Sequence, residues 1–169
     1  MNKLLDKNII FNNSDIEKKI KRISLEIIEN NLNESKITFF GISDNGIKIV
    51  QKIIEYIVIN SKIKTDSIKV SLNKKDPVNT IEFEKKINIK NSSIIVVDDV
   101  SQTGKTLLSV VSKLINHDPS KIQTSVLINR DQTSFPIKVD FYGISLSTSI
   151  KNHVDVEINN KQEIKVYLS

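Results

Sequence analysis

The run SIIVV, Ser93–Val97, is apolar at every position after its serine, and two aspartates and the small polar turn VSQTGKT (Val100–Thr106) follow at once. A strand with one wet face alternates apolar and polar residues. An unbroken apolar run is buried on both faces, as at the centre of a parallel sheet. Parallel strands need crossover connections, so such a sheet brings helices with it. The chain supplies them. Ile16, Ile20, Ile23 and Ile27 recur at helical spacing behind Ser14 and Asp15, which offer N-cap chemistry. Ile47, Val50, Ile54 and Ile57 share one side of a second helix, and Leu107, Leu108, Val111, Leu114 and Ile115 line a third, from Lys105 to Asn116.

Further strand-like runs lie between and after these helices: Ile37–Ile42, Ser67–Leu72, Ile122–Ile128, Ile137–Ile144 and Glu163–Leu168. Ser43–Gly46 (SDNG) reads as a turn, and NKKDPVNT, Asn73–Thr80, as a polar loop. The alternation predicts an α/β domain with a mostly parallel central sheet flanked by helices. With no repeat or Pro/Gly linker, residues 1–169 read as one domain. In open sheets of this kind a ligand sits beyond the C-terminal strand ends, where the strand order switches. Two candidate segments fall on that rim: SDNG and DDVSQTGKT.

Composition excludes several chemistries. There is no cysteine, hence no disulfide, thiolate nucleophile or Cys-bound metal, and the two histidines, His117 and His153, lie far apart. No segment has the length of a transmembrane span or the apolar core of a signal peptide, so the protein reads as soluble and cytoplasmic. The net charge of +5 is spread along the chain, and its one cluster, Lys18–Arg22 (KKIKR), reads as a solvated helix face. His117 and His153 read as capping or exposed residues, and Phe39, Phe40, Phe135 and Phe141 as core.

Gly104-Lys105-Thr106 raises the question of a nucleoside triphosphate. A P-loop carries a glycine five positions before Gly-Lys-Ser/Thr, so that backbone N–H groups wrap the phosphates. That position is Asp99, which bars close backbone approach and repels phosphate. A narrower reading remains. Thr103, Gly104, Lys105 and Thr106 open a helix, whose unpaired N–H groups and dipole favour one anion. Asp98 and Asp99 suit vicinal hydroxyls, or a Mg²⁺ held through water and ligand oxygens. A phosphate with a diol beyond it is a ribose 5-phosphate. An acidic strand end before a simple capping turn would carry the same residues.

VVDDVSQTGKT resembles the signature of type I phosphoribosyltransferases: two hydrophobics, two acids, a hydrophobic, then Thr-Gly-Lys/Arg-Thr. DIEKKIKRISLEIIENN, GISDNGIKIVQKI and LINRDQTSFPIKVDFYGISLSTS fall in the order seen in the pyrimidine operon attenuator/uracil phosphoribosyltransferase subfamily. The similarity runs from Asp15 to Leu168.

The resemblance implies the type I phosphoribosyltransferase fold with a small hood, a dimer, and transfer of phosphoribose from phosphoribosyl pyrophosphate (PRPP) to uracil, giving UMP and pyrophosphate. Mg²⁺ would come with PRPP, with no metal site from the protein alone. A catalytically weak nucleotide or PRPP sensor is the alternative. Asp98 and Asp99 are then the catalytic, ribose-binding acids, and Ser101, Gln102, Thr103, Gly104, Lys105 and Thr106 the 5-phosphate loop. Lys105 stands where arginine is usual, and Ser101 and Gln102 replace a bulkier Leu-Tyr pair. The pyrophosphate loop is degenerate: Ser43, Asp44, Asn45 and Gly46 replace a Lys-Thr-Arg-Gly pattern, so two cations are lost and an acid gained. The mobile loop, Leu-Tyr-Arg-Asp-Asp in the family, reads Leu72, Asn73, Lys74, Lys75 and Asp76, so the Tyr and Arg are lost and Lys74 or Lys75 is left to cover the pyrophosphate. Arg130 lies near the base pocket or pairs with Asp131 or Asp140. The family's RNA surface corresponds to Lys21, Leu25, Gln132, Thr133, Lys138 and Ile144, of which only Lys21 and Lys138 are basic. A phosphate-tracking surface needs several cations, which argues against specific RNA binding.

Overall fold

The computed structural model describes residues 8–73, 75–131, 133–147 and 153–168. Its elements run β1 (Asn8–Phe11), α1 (Asn13–Asn30), β2 (Lys36–Ile42), α2 (Ser43–Asn60), β3 (Lys64–Ser71) and β4 (Glu82–Phe83). There follow β5 (Ser93–Ser101), α3 (Lys105–Ile115), β6 (Lys121–Arg130), β7 (Phe141–Leu146), β8 (Val154–Ile158) and β9 (Ile164–Leu168). Six strands form one sheet in the order β4-β3-β2-β5-β6-β7. All neighbours are parallel except β3 and β4. A smaller antiparallel sheet, β1-β9-β8, joins the two ends of the described chain and forms the hood.

β5 holds the centre as its composition demands: Ile94 to Val97 are fully buried. On one side of the sheet α1 and α2 bury Ile16, Ile20, Ile23, Ile27, Ile49, Val50, Ile53 and Ile57 together with hood residues Val154, Ile164 and Val166. On the other side α3 buries Leu107, Val110 and Leu114 against Phe40, Ile94, Val96 and Val126. The two crossovers, β2–α2–β3 and β5–α3–β6, run away from each other, so the strand order reverses between β2 and β5. The crevice at that switch is where an α/β sheet binds ligands.

Several details differ from the sequence reading. The cap of α1 is Asn12, not Ser14 or Asp15. Its side chain accepts from the Asp15 backbone N–H at 3.1 Å, and Asp15 answers as the N3 partner of a capping box. The buried face of α2 turns to Ile49 and Ile53, leaving Ile47 and Ile54 half-buried, because the helix wedges between α1 and the sheet. On α3, Ile115 is exposed. β7 begins at Phe141 rather than Ile137, since Ile137 and Val139 cross over the α3 side first. SDNG is no turn: Ser43, with φ 59°, enters α2 directly from β2. Phe39, Phe40 and Phe141 are core, but Phe135 is 36% exposed.

Candidate functional site

The acid pair belongs to β5 itself, which continues through Asp98 and Asp99 to Ser101. Both aspartates are nearly buried, at 3% and 8% exposure. Asp98 Oδ1 accepts from the Asp99 backbone N–H at 2.9 Å, and Asp99 Oδ1 accepts from the Val100 N–H at 2.7 Å. These local bonds fix both carboxylates at the strand end, where a buried carboxylate without partners would be costly.

The turn that follows is shaped by Gly104. Its φ of 80° lies in the left-handed region, and a Cβ there would stand 2.6 Å from Ile137 Cγ2 and 3.2 Å from the Phe135 carbonyl oxygen. Only glycine fits both constraints. The Thr103 carbonyl accepts from the N–H groups of Ser134 and Phe135 at 3.1 and 3.0 Å, strapping the turn from outside. Gly104 caps α3 without a side-chain hydrogen bond, and the Lys105 N–H donates to Thr103 Oγ1 at 3.3 Å; a helix start capped by glycine leaves N–H groups for a ligand to meet.

A cleft of about 420 Å³ gathers these parts. It is lined by Asp98–Gly104, Thr106 and Leu107, by Asn45 of α2, and by His153–Val156 at and within β8. The size is that of a small-molecule site. Among the described residues, Ser101 Oγ, in the cleft wall and 2% exposed, has no hydrogen-bond partner, nor has Asn129 Oδ1 at the register-paired position of β6.

Of the residues singled out from sequence, Asp98, Asp99, Ser101–Gly104, Thr106 and Asn45 meet in this cleft. Lys105 does not line it; its side chain lies in a neighbouring groove with Val78, Leu108 and Phe135. Gly46 acts from below. A Cβ at Gly46 would lie 2.8 Å from the Val97 carbonyl oxygen, so its absence lets the first turn of α2 sit against β5. That contact brings Asn45 to the acid pair: Asn45 Nδ2 donates to Asp99 Oδ2 at 2.7 Å and to the Val156 carbonyl at 2.9 Å. Asp44 points outward and pairs with Lys69 Nζ at 2.5 Å. Lys69 holds the Asp44 carboxyl below its ordinary range, first by the hydrogen bond and then by charge.

Asn73 and Lys75 stand apart in a turn tied by its own side chains, with the Lys75 N–H donating to Asn73 Oδ1 at 3.0 Å. Lys74 lies outside the described residues. Arg130 is buried at the end of β6. Asp140 accepts from the Thr124 N–H and pairs with Lys138 at 3.1 Å, while Asp131 accepts from the hydroxyls of Ser145 and Ser147. His117 is exposed in the turn after α3. His153, read from the sequence as capping or exposed, is exposed, and it pairs at 3.2 Å on the hood side of the cleft with Asp155, which sequence reasoning did not single out. The alternation V-D-V in β8 was the one available signal.

Residues 6–161 match the phosphoribosyl transferase domain, and the chain belongs to that family, in its type I branch. Within it the chain falls in the PyrR subfamily. It is 32% identical over 173 residues to bifunctional protein PyrR of Clostridium novyi, covering 95% of this chain and 97% of that protein. Against bifunctional protein PyrR of Fusobacterium nucleatum it is 30% identical, covering 94% and 96%. Among solved structures, a hypoxanthine-guanine phosphoribosyltransferase from Bacillus anthracis superposes with a TM-score of 0.71 at 17% identity, over 83% of this chain and 82% of that chain. Trypanosoma cruzi hypoxanthine phosphoribosyl transferase reaches 0.75 at 11% identity, over 95% and 90%. These last two likenesses concern the fold.

Proposed function

We propose that the cleft holds a ribose 5-phosphate and that the chain transfers phosphoribose from PRPP to uracil. The observation that carries this reading is the meeting, in one cleft, of two buried carboxylates and a glycine-pinned turn at the open N-terminus of α3. The phosphate would rest on Thr103, Gly104 and Thr106 under the dipole of α3. The ribose hydroxyls would donate to Asp98 and Asp99. In the transfer the C1–O bond to pyrophosphate breaks and a C1–N bond to the base forms, with the ring N–H proton lost. Positive charge gathers on the ribose in between, and two fixed carboxylates beside it stabilise that charge electrostatically.

Mg²⁺ bound with PRPP would neutralise the leaving pyrophosphate. The oxygens around the ion would come from PRPP and water, with Asp98 and Asp99 beside them. Among the described residues no helix is long and apolar enough to cross a membrane. A single domain, a cytoplasmic location and a homodimer complete the proposal. The relatives named bifunctional make RNA a second partner to test; Lys21 and Lys138 are exposed but supply only two cations. A second reading, a nucleotide sensor with slow chemistry, is favoured by the pairing of Asp44 with Lys69, which leaves that ion pair neutral beside the cleft.

Labelled uracil with PRPP and Mg²⁺ tests the transfer. Formation of labelled UMP is the expected result. Ligand binding without turnover would leave the sensor in place of the enzyme.

A further inference from the structure

α3 buries Leu107, Val110 and Leu114 and turns a second stripe outward. Lys105, Leu108, Ser109, Ser112 and Asn116 recur three and four positions apart, so they share one helix face. That face lines a groove of about 470 Å³. Val78, between β3 and β4, and Phe135, between β6 and β7, complete its apolar lining with Leu108, and both are exposed. The groove shares no lining residue with the cleft. It nevertheless adjoins the phosphate turn, because the Phe135 N–H donates to the Thr103 carbonyl at 3.0 Å and Lys105 follows Gly104 directly.

The charge in the groove has one sign: two lysines line it and no acid does. Among the described residues, Lys105 Nζ has no hydrogen-bond or ion-pair partner. Lys113 Nζ donates to the Ile81 carbonyl at 2.5 Å and lies 5.7 Å from the centre of the Phe83 ring. Both of its partners are neutral, so its charge is not cancelled. Ser112 and Asn116 add a hydroxyl and an amide. Apolar walls with a few polar groups among them are the make-up of a small-molecule site. A folded partner would need an interface of about 800 Å² per side, whereas three side chains make the apolar lining here. A bare phosphate gains nothing from those walls, and a neutral hydrocarbon leaves the lysines without a counter-charge.

We propose that this groove is a second ligand site, for a small organic anion with an apolar body and one carboxylate, sulfonate or phosphate group. The body lies against Val78, Leu108 and Phe135, and the acid group meets Lys105 in the field of Lys113. The site does not depend on what the cleft binds. An occupant held against the Phe135 ring steadies the backbone that straps Thr103 from behind.

Anilinonaphthalene sulfonate (ANS) serves as the probe, followed by its fluorescence on the folded full chain. Phenylnaphthylamine, the same rings without the sulfonate, is its neutral counterpart. The wild-type chain is expected to bind ANS saturably and at least tenfold more tightly than the neutral probe. Ser112 is exposed, so Ser112→Glu keeps the fold and brings an acid into the groove. It is expected to weaken ANS roughly tenfold by like-charge repulsion, with an unchanged melting temperature. Phe135→Ala removes an apolar wall but keeps the backbone strap, and should weaken both probes several-fold. In hydrogen exchange, ANS should slow the amides of Ser134 and Phe135, which hold Thr103. Lack of saturable binding, equal affinity for the two probes, or ANS affinity unmoved by Ser112→Glu or by Phe135→Ala overturns the proposal. So does ANS that binds without slowing those two amides.

Discussion

Gly104 and Asp99 set the site at the scale of single residues. Gly104→Ala forces a side chain into the left-handed region and against Ile137, so we expect a loss of about 1–2 kcal/mol in stability. The phosphate turn opens with it, and a urea midpoint and a UMP titration should both fall. Asp99→Asn keeps a partner for Asn45 but removes the charge offered to the ribose hydroxyls. A charged hydrogen bond contributes about 1.5–3 kcal/mol, so UMP affinity should drop roughly ten- to hundredfold with little change in melting temperature. Asp44, Asp66 and Asp131 have carboxyls lowered from an ordinary 3.8, by Lys69, Lys85 and the Ser145 and Ser147 hydroxyls respectively. Each group binds its proton more weakly when folded than unfolded, so its contribution is complete above pH 3.8 and is lost as pH falls below that value. In acid titrations followed by circular dichroism, Asp44→Asn should flatten this fall. The phosphate turn and acid pair were legible because their chemistry is carried by contiguous residues. Asn45 was legible only as a departure from a pattern, since its partners are 54 and 111 positions away.

At the scale of elements, the three helices and the parallel strands followed from apolar spacing, which reports burial directly. What spacing could not give was the rotation of α2, fixed by α1 and the sheet at once, or the start of α2 at Ser43 without a turn. SDNG has loop-like composition, yet Gly46 seats it on the Val97 carbonyl and makes it helix. Gly46→Ala should therefore cost about 1–3 kcal/mol through overpacking, roughly 2–12 °C in melting temperature for a chain of this size. It should also weaken UMP binding, because Asn45 moves with that turn. Asn12→Ala removes the capping box of α1 far from the cleft. The expected cost is about 1 kcal/mol with unchanged ligand affinity, a contrast that separates stability from site geometry.

At the scale of the whole molecule, the hood was hardest to read. β1 and β9 pair across almost the entire chain, and β8 is a five-residue strand whose V-D-V alternation is too short to stand out. Yet this sheet closes the cleft and adds Val154, Ile164 and Val166 to the core beneath α1 and α2. Its strand β8 lines the cleft and is tied to α2 through Asn45 and Lys48, so its protection should respond to ligand. In hydrogen exchange, β2, β5 and β6 should exchange slowest with or without nucleotide, while amides of Val154–Ile158 should slow on adding UMP. The most direct test of the ribose 5-phosphate cleft is a crystal structure of the chain with UMP. The phosphate is predicted on Thr103–Thr106, with the ribose hydroxyls within hydrogen-bond distance of Asp98 and Asp99. A phosphate bound elsewhere, such as the groove beside Lys105, or a ribose turned away from both aspartates, would contradict it.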